Sequence, residues 1–294
     1  MLNGMINIYK EKGYTSHDVV ARLRGILKQK KIGHTGTLDP EAEGVLPVCL
    51  GKGTKLCDMI ENTDKTYQVT MLLGVETDTE DMTGEILKES PVNCTEEEAV
   101  EAIQSFVGEI QQIPPMYSAL KVNGKKLYEL AREGKVIERK ARPITIYSID
   151  ILSVALPEIV MSVRCSKGTY VRSLCRDIGA KLGCGGAMKK LLRTEASGFM
   201  LDQAYRLDQI EEMQKQNCVT DILTKIDFMF QKYPAVIIPA SMNKLLYNGN
   251  TLPYDSENGY EKVRVYDAEE HFIGLYEYKK HMLKPLKLFF DMES

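Results

Sequence analysis

Between Gly33 and Gly53 the chain reads GHTGTLDPEAEGVLPVCLGKG, and no other stretch restricts the fold as tightly. Its first part, crowded with Gly, Pro and small polar residues, predicts a loop, and the apolar run from Val45 to Leu50 predicts a buried strand behind it. One carboxylate, Asp39, lies between Leu38 and Pro40. Pro40 narrows the backbone choices of Asp39, while Gly33, Gly36 and Gly44 let the main chain approach a ligand closely. An isolated Asp-Pro pair is most often a surface Asx turn, so the weight given to Asp39 depends on what the rest of the chain supplies.

Around this loop the pattern alternates between strands and helices. Residues 5 to 9 read as a strand. Thr15 with Asp18 forms a capping box that opens a helix carrying Val19, Leu23, Ile26 and Leu27 at helical spacing. Thr54 to Glu61 reads as a short helix, Thr66 to Leu73 as a strand rich in β-branched and aromatic residues, and Gly74 to Gly84 as a polar loop. A second capping box, Thr95 with Glu98, starts a helix through Ala99, Ile103 and Phe106 that Gly108 stops. The paired prolines of Ile113-Pro114-Pro115 forbid regular structure there, and a helix with Leu127, Leu130 and Ala131 follows, ending at Gly134. Strands are expected at Ile144 to Leu152 and Ile159 to Cys165, then a turn at Ser166 to Arg172 into a helix ending at Gly183. Residues 202 to 230 read as helices. Beyond Tyr233-Pro234 the strands Ala235 to Ile238, Lys262 to Tyr266, Phe272 to Tyr278 and Leu286 to Phe290, with a helix at Ser241 to Tyr247, form a small β-rich module.

Totals narrow the class. The 294 residues suit one large domain and a small one, and 44% hydrophobic with 27% charged residues is ordinary for a globular chain. No apolar run approaches the ~20 residues of a membrane span and the N-terminus lacks the apolar core of a signal peptide, so a cytoplasmic protein is expected. Seven cysteines with no C-x-x-C pair point to reduced thiols rather than disulfides or zinc. A net charge of −3 argues against indiscriminate coating of nucleic acid, yet the cations cluster. Arg22, Arg24, Lys28, Lys30 and Lys31 form one group. Lys121, Lys125, Lys126, Arg132, Lys135, Arg139, Lys140 and Arg142 form a second, and a third spans Arg164, Lys167, Arg172, Arg176, Lys181, Lys189, Lys190 and Arg193. Segregated from the acidic stretches, they predict a basic face for a phosphate backbone, or equally the solvated faces of helices.

Several chemistries are excluded by pattern. Gly51-Lys52-Gly53-Thr54 lacks the spacing of a phosphate loop, and no dinucleotide, nucleophile-elbow, zincin or EF-hand pattern occurs. The four histidines show no ligand spacing. Acid chemistry without a metal remains, and a glycosidase pairing Asp39 with Asp177 or Asp81 stays open at this level.

The ordered set Gly33-His34-Thr35-Gly36-Thr37-Leu38-Asp39-Pro40, Lys65-Thr66-Tyr67, Ile113-Pro114-Pro115 with Ser118-Ala119-Leu120-Lys121, and Gly168-Thr169-Tyr170-Val171-Arg172 resembles the TruB-type bacterial tRNA pseudouridine synthases. Gly74, Thr77, Thr79, Asp81 and Gly84, the run Leu127 to Arg132, and Leu182 to Gly185 extend the likeness over most of residues 5 to 200. The C-terminal module is similar, more loosely, to a degenerate PUA domain. The resemblance implies an α+β pseudouridine synthase fold: a mixed, mostly antiparallel sheet flanked by helices, with a catalytic domain over 1–232 and a PUA-like RNA-binding module over 233–294.

The implied activity is conversion of uridine 55 in the T loop of tRNA to pseudouridine, with no cofactor and no metal, and with aid to tRNA folding alongside it. Asp39 is implied as the catalytic carboxylate, attacking the sugar or starting removal of its proton. Arg172 is implied as its ion-pair partner. Tyr67 is implied to stack on the flipped base and to serve the late proton transfer from carbon-5, Tyr170 and Leu191 to line the same pocket, and His34 to enter the RNA where the base has left. Two departures stand out. Where the family commonly has Asp-Lys-Pro, this chain has Tyr9-Lys10-Glu11, keeping Lys10 at the substrate pocket. Where relatives carry two arginines, it has Leu192-Arg193, which trims one expected phosphate contact. The partner is expected to be tRNA, without guide RNA or membrane, and the protein a monomer. The rivals are a guide-RNA-dependent relative, an RNA-folding protein with secondary catalysis, and a small-sugar glycosidase.

Overall fold

The computed structural model describes residues 1–60, 63–122, 124–255 and 261–290. Strand β1 (Gly4–Lys10) leads to helix α1 (Ser16–Leu27), opened by the Thr15/Asp18 capping box: Asp18 N donates to Thr15 Oγ1 at 3.0 Å and Thr15 N to Asp18 Oδ2 at 2.8 Å. The apolar stripe of α1 packs Val19, Val20, Leu23 and Leu27 against Ile6, Ile8, Leu46, Val48 and Leu50. Strands β2 (Ile32–His34) and β3 (Glu43–Leu50) flank the Asp39 loop and pair antiparallel, with His34 opposite Val48. A 3-10 turn at Gly51–Leu56 and a short α2 (Cys57–Ile60) replace the single helix expected over Thr54 to Glu61, whose last residue lies outside the described set.

Strand β4 (Lys65–Leu73) follows the alternation in the sequence, burying Tyr67, Val69, Met71 and Leu73. After it come the hairpin β5 (Val75–Thr77) and β6 (Ile86–Glu89), the capped helix α3 (Glu96–Gln104) and β7 (Gly108–Gln112). The helix ends at Gln104, short of the expected Phe106 and Gly108, and Gly108 instead begins a strand. The proline segment passes to a small ribbon, β8 (Lys121–Val122) with β9 (Lys125–Lys126), and to α4 (Leu127–Arg132). Long strands β10 (Arg142–Ala155) and β11 (Glu158–Cys165) precede α5 (Val171–Lys181), β12 (Gly186–Ala196), β13 (Phe199–Met200) and α6 (Leu207–Lys215).

The main sheet has the order β1-β3-β12-β4-β11-β10-β7, with β2 and β13 attached at β3 and β12. Every pairing is antiparallel except β3 with β12, so the sheet is mixed and mostly antiparallel. The central strand β12 has no counterpart among the expected elements. Register breaks at Met188/Lys190 and Arg193/Glu195 destroy the two-residue alternation by which a strand is recognised. At the parallel contact Gly44, with φ +103°, lies against the main chain of Arg193, and a Cβ there would overlap the Arg193 carbonyl oxygen.

Strands β14 (Ala235–Ile237), β15 (Leu252–Pro253), β16 (Lys262–Tyr266), β17 (Phe272–Lys279) and β18 (Met282–Leu288), with α7 (Asn243–Tyr247), make a separate five-stranded sheet. The final strand starts four residues before the expected Leu286. Leu275 and Phe289 of this module share a cluster with Met5, Val45, Cys49 and Leu56, so the strand leading away from Asp39 is backed by the C-terminal sheet. Among the described residues no helix is long and apolar enough to cross a membrane.

Candidate active site

The Asp39 loop is pinned from four directions. Thr35 N donates to Pro47 O at 3.0 Å, Leu38 N to Ser16 Oγ at 3.0 Å, Gly13 N to Pro40 O at 2.9 Å and Ala42 N to Asp39 O at 3.1 Å. Leu38 turns into the core cluster that holds Tyr67, so the neighbouring Asp39 side chain faces outward, 45% exposed. Two buried cations finish the anchoring. Lys10 Nζ donates to Pro40 O at 3.0 Å and Ala42 O at 2.5 Å. Arg193 donates from Nε to Val45 O at 2.6 Å and from Nη2 to Gly36 O at 3.2 Å, gripping both arms of the loop.

These contacts correct two expectations. Lys10 is fully buried and reaches carbonyls rather than a substrate-facing surface, so its part in the pocket is exerted through the loop. Burial pulls the Lys10 ammonium down to about 8, against the opposing pull of Asp39 and Glu43. Arg193, read as one of a surface cluster that meets phosphate, is also fully buried, and Arg172 of the same cluster is nearly so. Neither arginine is available to a phosphate backbone from the surface, so any basic face is limited to the exposed cations of the three groups. Arg22, Arg24, Lys28, Lys30, Lys31, Lys121, Lys125, Arg132, Lys135, Lys140 and Arg142 are exposed.

Arg172 stands in the first turn of α5. Its Nε meets Asp39 Oδ2 at 3.0 Å, Nη1 donates to Thr79 O at 2.9 Å and Nη2 to Tyr117 O at 2.8 Å, with Asp81 Oδ2 3.7 Å from Nε. Asp39 and Asp81 thus flank one guanidinium, and Asp177 pairs with Arg176 at 2.7 Å. Asp81 is 12% exposed with its Oδ1 bonded to Thr79 and Thr83, and Asp177 is tied to Arg176, so neither stands free as the second carboxylate of a glycosidase. Asp81 joins the site as a partner of Arg172, a role that spacing alone does not reveal.

Tyr67 lies on β4 directly across from Arg193 on β12, and Leu191 lies across from Val69, so both side chains enter the cluster beneath Asp39. Tyr67 is only 7% exposed. Burial pushes its phenol up while Arg193 pulls it the other way. Tyr170 precedes α5, and its backbone N and O are held by the Gln112 side chain at 2.8 and 3.1 Å. Burial also raises the Tyr170 phenol. His34 sits edge-on to His17, ring centroids 5.1 Å apart, and its Nδ1 is buried without a hydrogen-bond partner. Burial, then His17 and Arg193, drive His34 down to about 4, so the ring is neutral at physiological pH. Among the described residues no three His, Cys, Asp or Glu side chains converge to hold a metal ion.

Residues 24–171 match the profile of the TruB family pseudouridylate synthase N-terminal domain, residues 172–230 that of the tRNA pseudouridylate synthase B C-terminal domain, and residues 234–289 that of the pseudouridine synthase II TruB C-terminal region. The tRNA pseudouridine synthase B of Lachnoclostridium phytofermentans is 54% identical over 98% of this chain and 100% of its own length. That of Alkaliphilus oremlandii is 46% identical over 99% and 100%. In three dimensions, a chain from the crystal structure of a Cbf5-Nop10-Gar1 complex aligns with a TM-score of 0.73 and 25% identity, covering 98% of this chain and 85% of that one. With full-length identity at this level, the chain belongs to the TruB family of pseudouridylate synthases.

Proposed function

We propose that the protein converts uridine 55 of the tRNA T loop to pseudouridine, acting on tRNA in the cytoplasm as a monomer without guide RNA, cofactor or metal. The observation that carries the reading is a half-exposed Asp39 carboxylate ion-paired to a buried Arg172, with the adjacent Leu38 in the core cluster that holds Tyr67 and Leu191. Full-length likeness to proteins named tRNA pseudouridine synthase B supports tRNA as the substrate over a guided ribonucleoprotein target.

The chemistry breaks the bond between uracil N1 and ribose C1′, turns the base, and joins C5 to C1′, while the C5 proton leaves and N1 gains one. A stacked T-loop uridine must first be extruded, at a cost of a few kcal/mol, which a stacking surface offsets. Tyr67 offers that surface and, by its hydroxyl, a group for the C5 proton. Asp39 initiates by attack on the sugar or by removal of its proton, and Arg172 orients the carboxylate. Tyr170 and Leu191 confine the base. His34, its ring neutral, fills the gap left in the RNA. Residues 1–232 form the catalytic unit and 233–294 a PUA-like RNA-binding module, with aid to tRNA folding as a function of the same binding surface.

The test is release of hydrogen from carbon-5 of uridine in a labelled tRNA transcript, a loss that accompanies formation of the new bond. Stoichiometric release is expected; none under any salt condition would sink the reading.

A further inference from the structure

The turn that supplies Thr79 O and Asp81 to Arg172 is shaped by the residue between them. Glu80 adopts φ +64°, a left-handed conformation that ordinary residues avoid, and its side chain is 9% exposed. Backbone bonds to β12 hold it from one side: Met188 N donates to Glu80 O, and Met82 N to Met188 O, both at 3.1 Å. From the other side its carboxylate accepts from Ser173 Oγ at 2.5 Å and from Arg176 Nη1. Ser173 and Arg176 belong to α5, the helix that carries Arg172.

The same turn leaves Asp81 little freedom. Its Oδ1 takes bonds from Thr79 Oγ1 at 2.8 Å, Thr83 N at 2.9 Å and Thr83 Oγ1 at 2.5 Å, which leaves Oδ2 facing the guanidinium. Arg176 Nη2 also donates to Ile113 O at 3.2 Å, as Arg172 Nη2 does to Tyr117 O, so the two arginines hold both ends of segment 113–117. That segment precedes the exposed cations of residues 121–142.

We propose that Glu80 is a positioning residue for the Asp39–Arg172 pair: its carboxylate locks the 79–81 turn onto α5, so that Thr79 O and Asp81 fix the guanidinium with Nε turned to Asp39. The carboxylate accepts from the Ser173 hydroxyl with one oxygen and pairs its charge with the Arg176 guanidinium through the other; an amide gives up that charge and keeps both contacts only if Ser173 turns from donor to acceptor. A carboxylate in a left-handed turn is a costly local choice, and the compensation lies in these two bonds from α5.

The inference rests on the reading of Asp39 and Arg172 given above, and two measurements separate its failure from the failure of that reading. In the first, single-turnover pseudouridine formation and tRNA affinity are measured for Glu80→Gln and Glu80→Gly, the latter relieving the backbone while removing the carboxylate. The rate is expected to fall about tenfold or more in both, with tRNA Kd changed less than about twofold, since a slight misplacement of a reacting group acts on rate rather than binding. Added to Arg172→Lys, Glu80→Gln is expected to cost little more, because both act through one guanidinium. A wild-type rate in Glu80→Gln, rate losses that multiply in the double variant, or a loss confined to Kd would each overturn the proposal.

The second measurement needs no turnover. The Nε–H resonance of Arg172 in the 15N-labelled protein, assigned by its disappearance in Arg172→Lys, is expected to be sharp and slow to exchange in wild type, and broadened in Glu80→Gln. An unchanged resonance overturns the proposal even where no pseudouridine is made.

Discussion

Arg172 and Asp39 form an ion pair whose two members live in different surroundings: the guanidinium is 7% exposed, the carboxylate 45%, and Nε and Oδ2 are 3.0 Å apart. The cation is fixed to the protein and the anion is left to the ligand. Arg172→Lys keeps the charge but gives up the planar fork that serves Asp39, Thr79 O and Tyr117 O together. Single-turnover pseudouridine formation is expected to fall about a hundredfold, with tRNA affinity nearly unchanged. Equal losses in rate and affinity would instead make Arg172 a binding group.

Lys10 links loop anchoring to pH. Its folded value of about 8 lies below the ~10.4 of an unfolded lysine, so between these values the unfolded chain keeps a proton that the folded chain has released. The sign follows: the destabilisation from burying the charged form is complete below pH 8 and fades as pH rises towards 10.4. Urea midpoints of wild type should therefore improve relative to Lys10→Met between pH 8 and 10, while the single-turnover rate of wild type falls as the grip on Pro40 O and Ala42 O weakens. A constant difference between the two midpoints across this range would contradict the assignment.

His34 gives the opposite limb. With the ring held at about 4 against an ordinary ~6.5, the unfolded chain takes up a proton that the folded chain refuses as pH falls between these values. The stability this confers is present above pH 6.5 and lost on the way to pH 4. Wild type should lose stability relative to His34→Gln from pH 6.5 to 4.5, followed by denaturant melts, and parallel curves would show that the ring is not held neutral.

Gly44 tests the junction of β3 and β12. Gly44→Ala places a Cβ onto the Arg193 carbonyl at φ +103° and is expected to destabilise the protein by about 2 kcal/mol or more, whereas Gly168→Ala, at φ +80° with open space around it, should cost only about 1 kcal/mol. Similar thermal shifts for the two would mean that the parallel contact is not a tight one.

Local signals are legible where a single element satisfies itself. The capping boxes of Thr15 and Thr95 and the alternation along β4 involve neighbours in sequence, and the structure has them where the pattern puts them. The pairing of Asp39 with Arg172 spans 133 positions and follows from no local spacing; it was legible only through the likeness to a family. β12 escaped because two bulges interrupt its period and because Lys189, Lys190 and Arg193 look like surface charge. The burial of Arg193 and Lys10 is not legible in sequence for one reason: long cations are ordinarily exposed, and burying them requires acceptors that only the folded loop provides. Glu80 carries no sequence signal at all, since its importance lies in a left-handed turn.

The most direct test of the account is to incubate the protein with an unmodified tRNA transcript and map pseudouridine chemically, nucleotide by nucleotide, with Asp39→Asn alongside. The account predicts one pseudouridine, at position 55 of the T loop, made by wild type and absent with the variant. No product from wild type, product only elsewhere, or undiminished product from Asp39→Asn would contradict it.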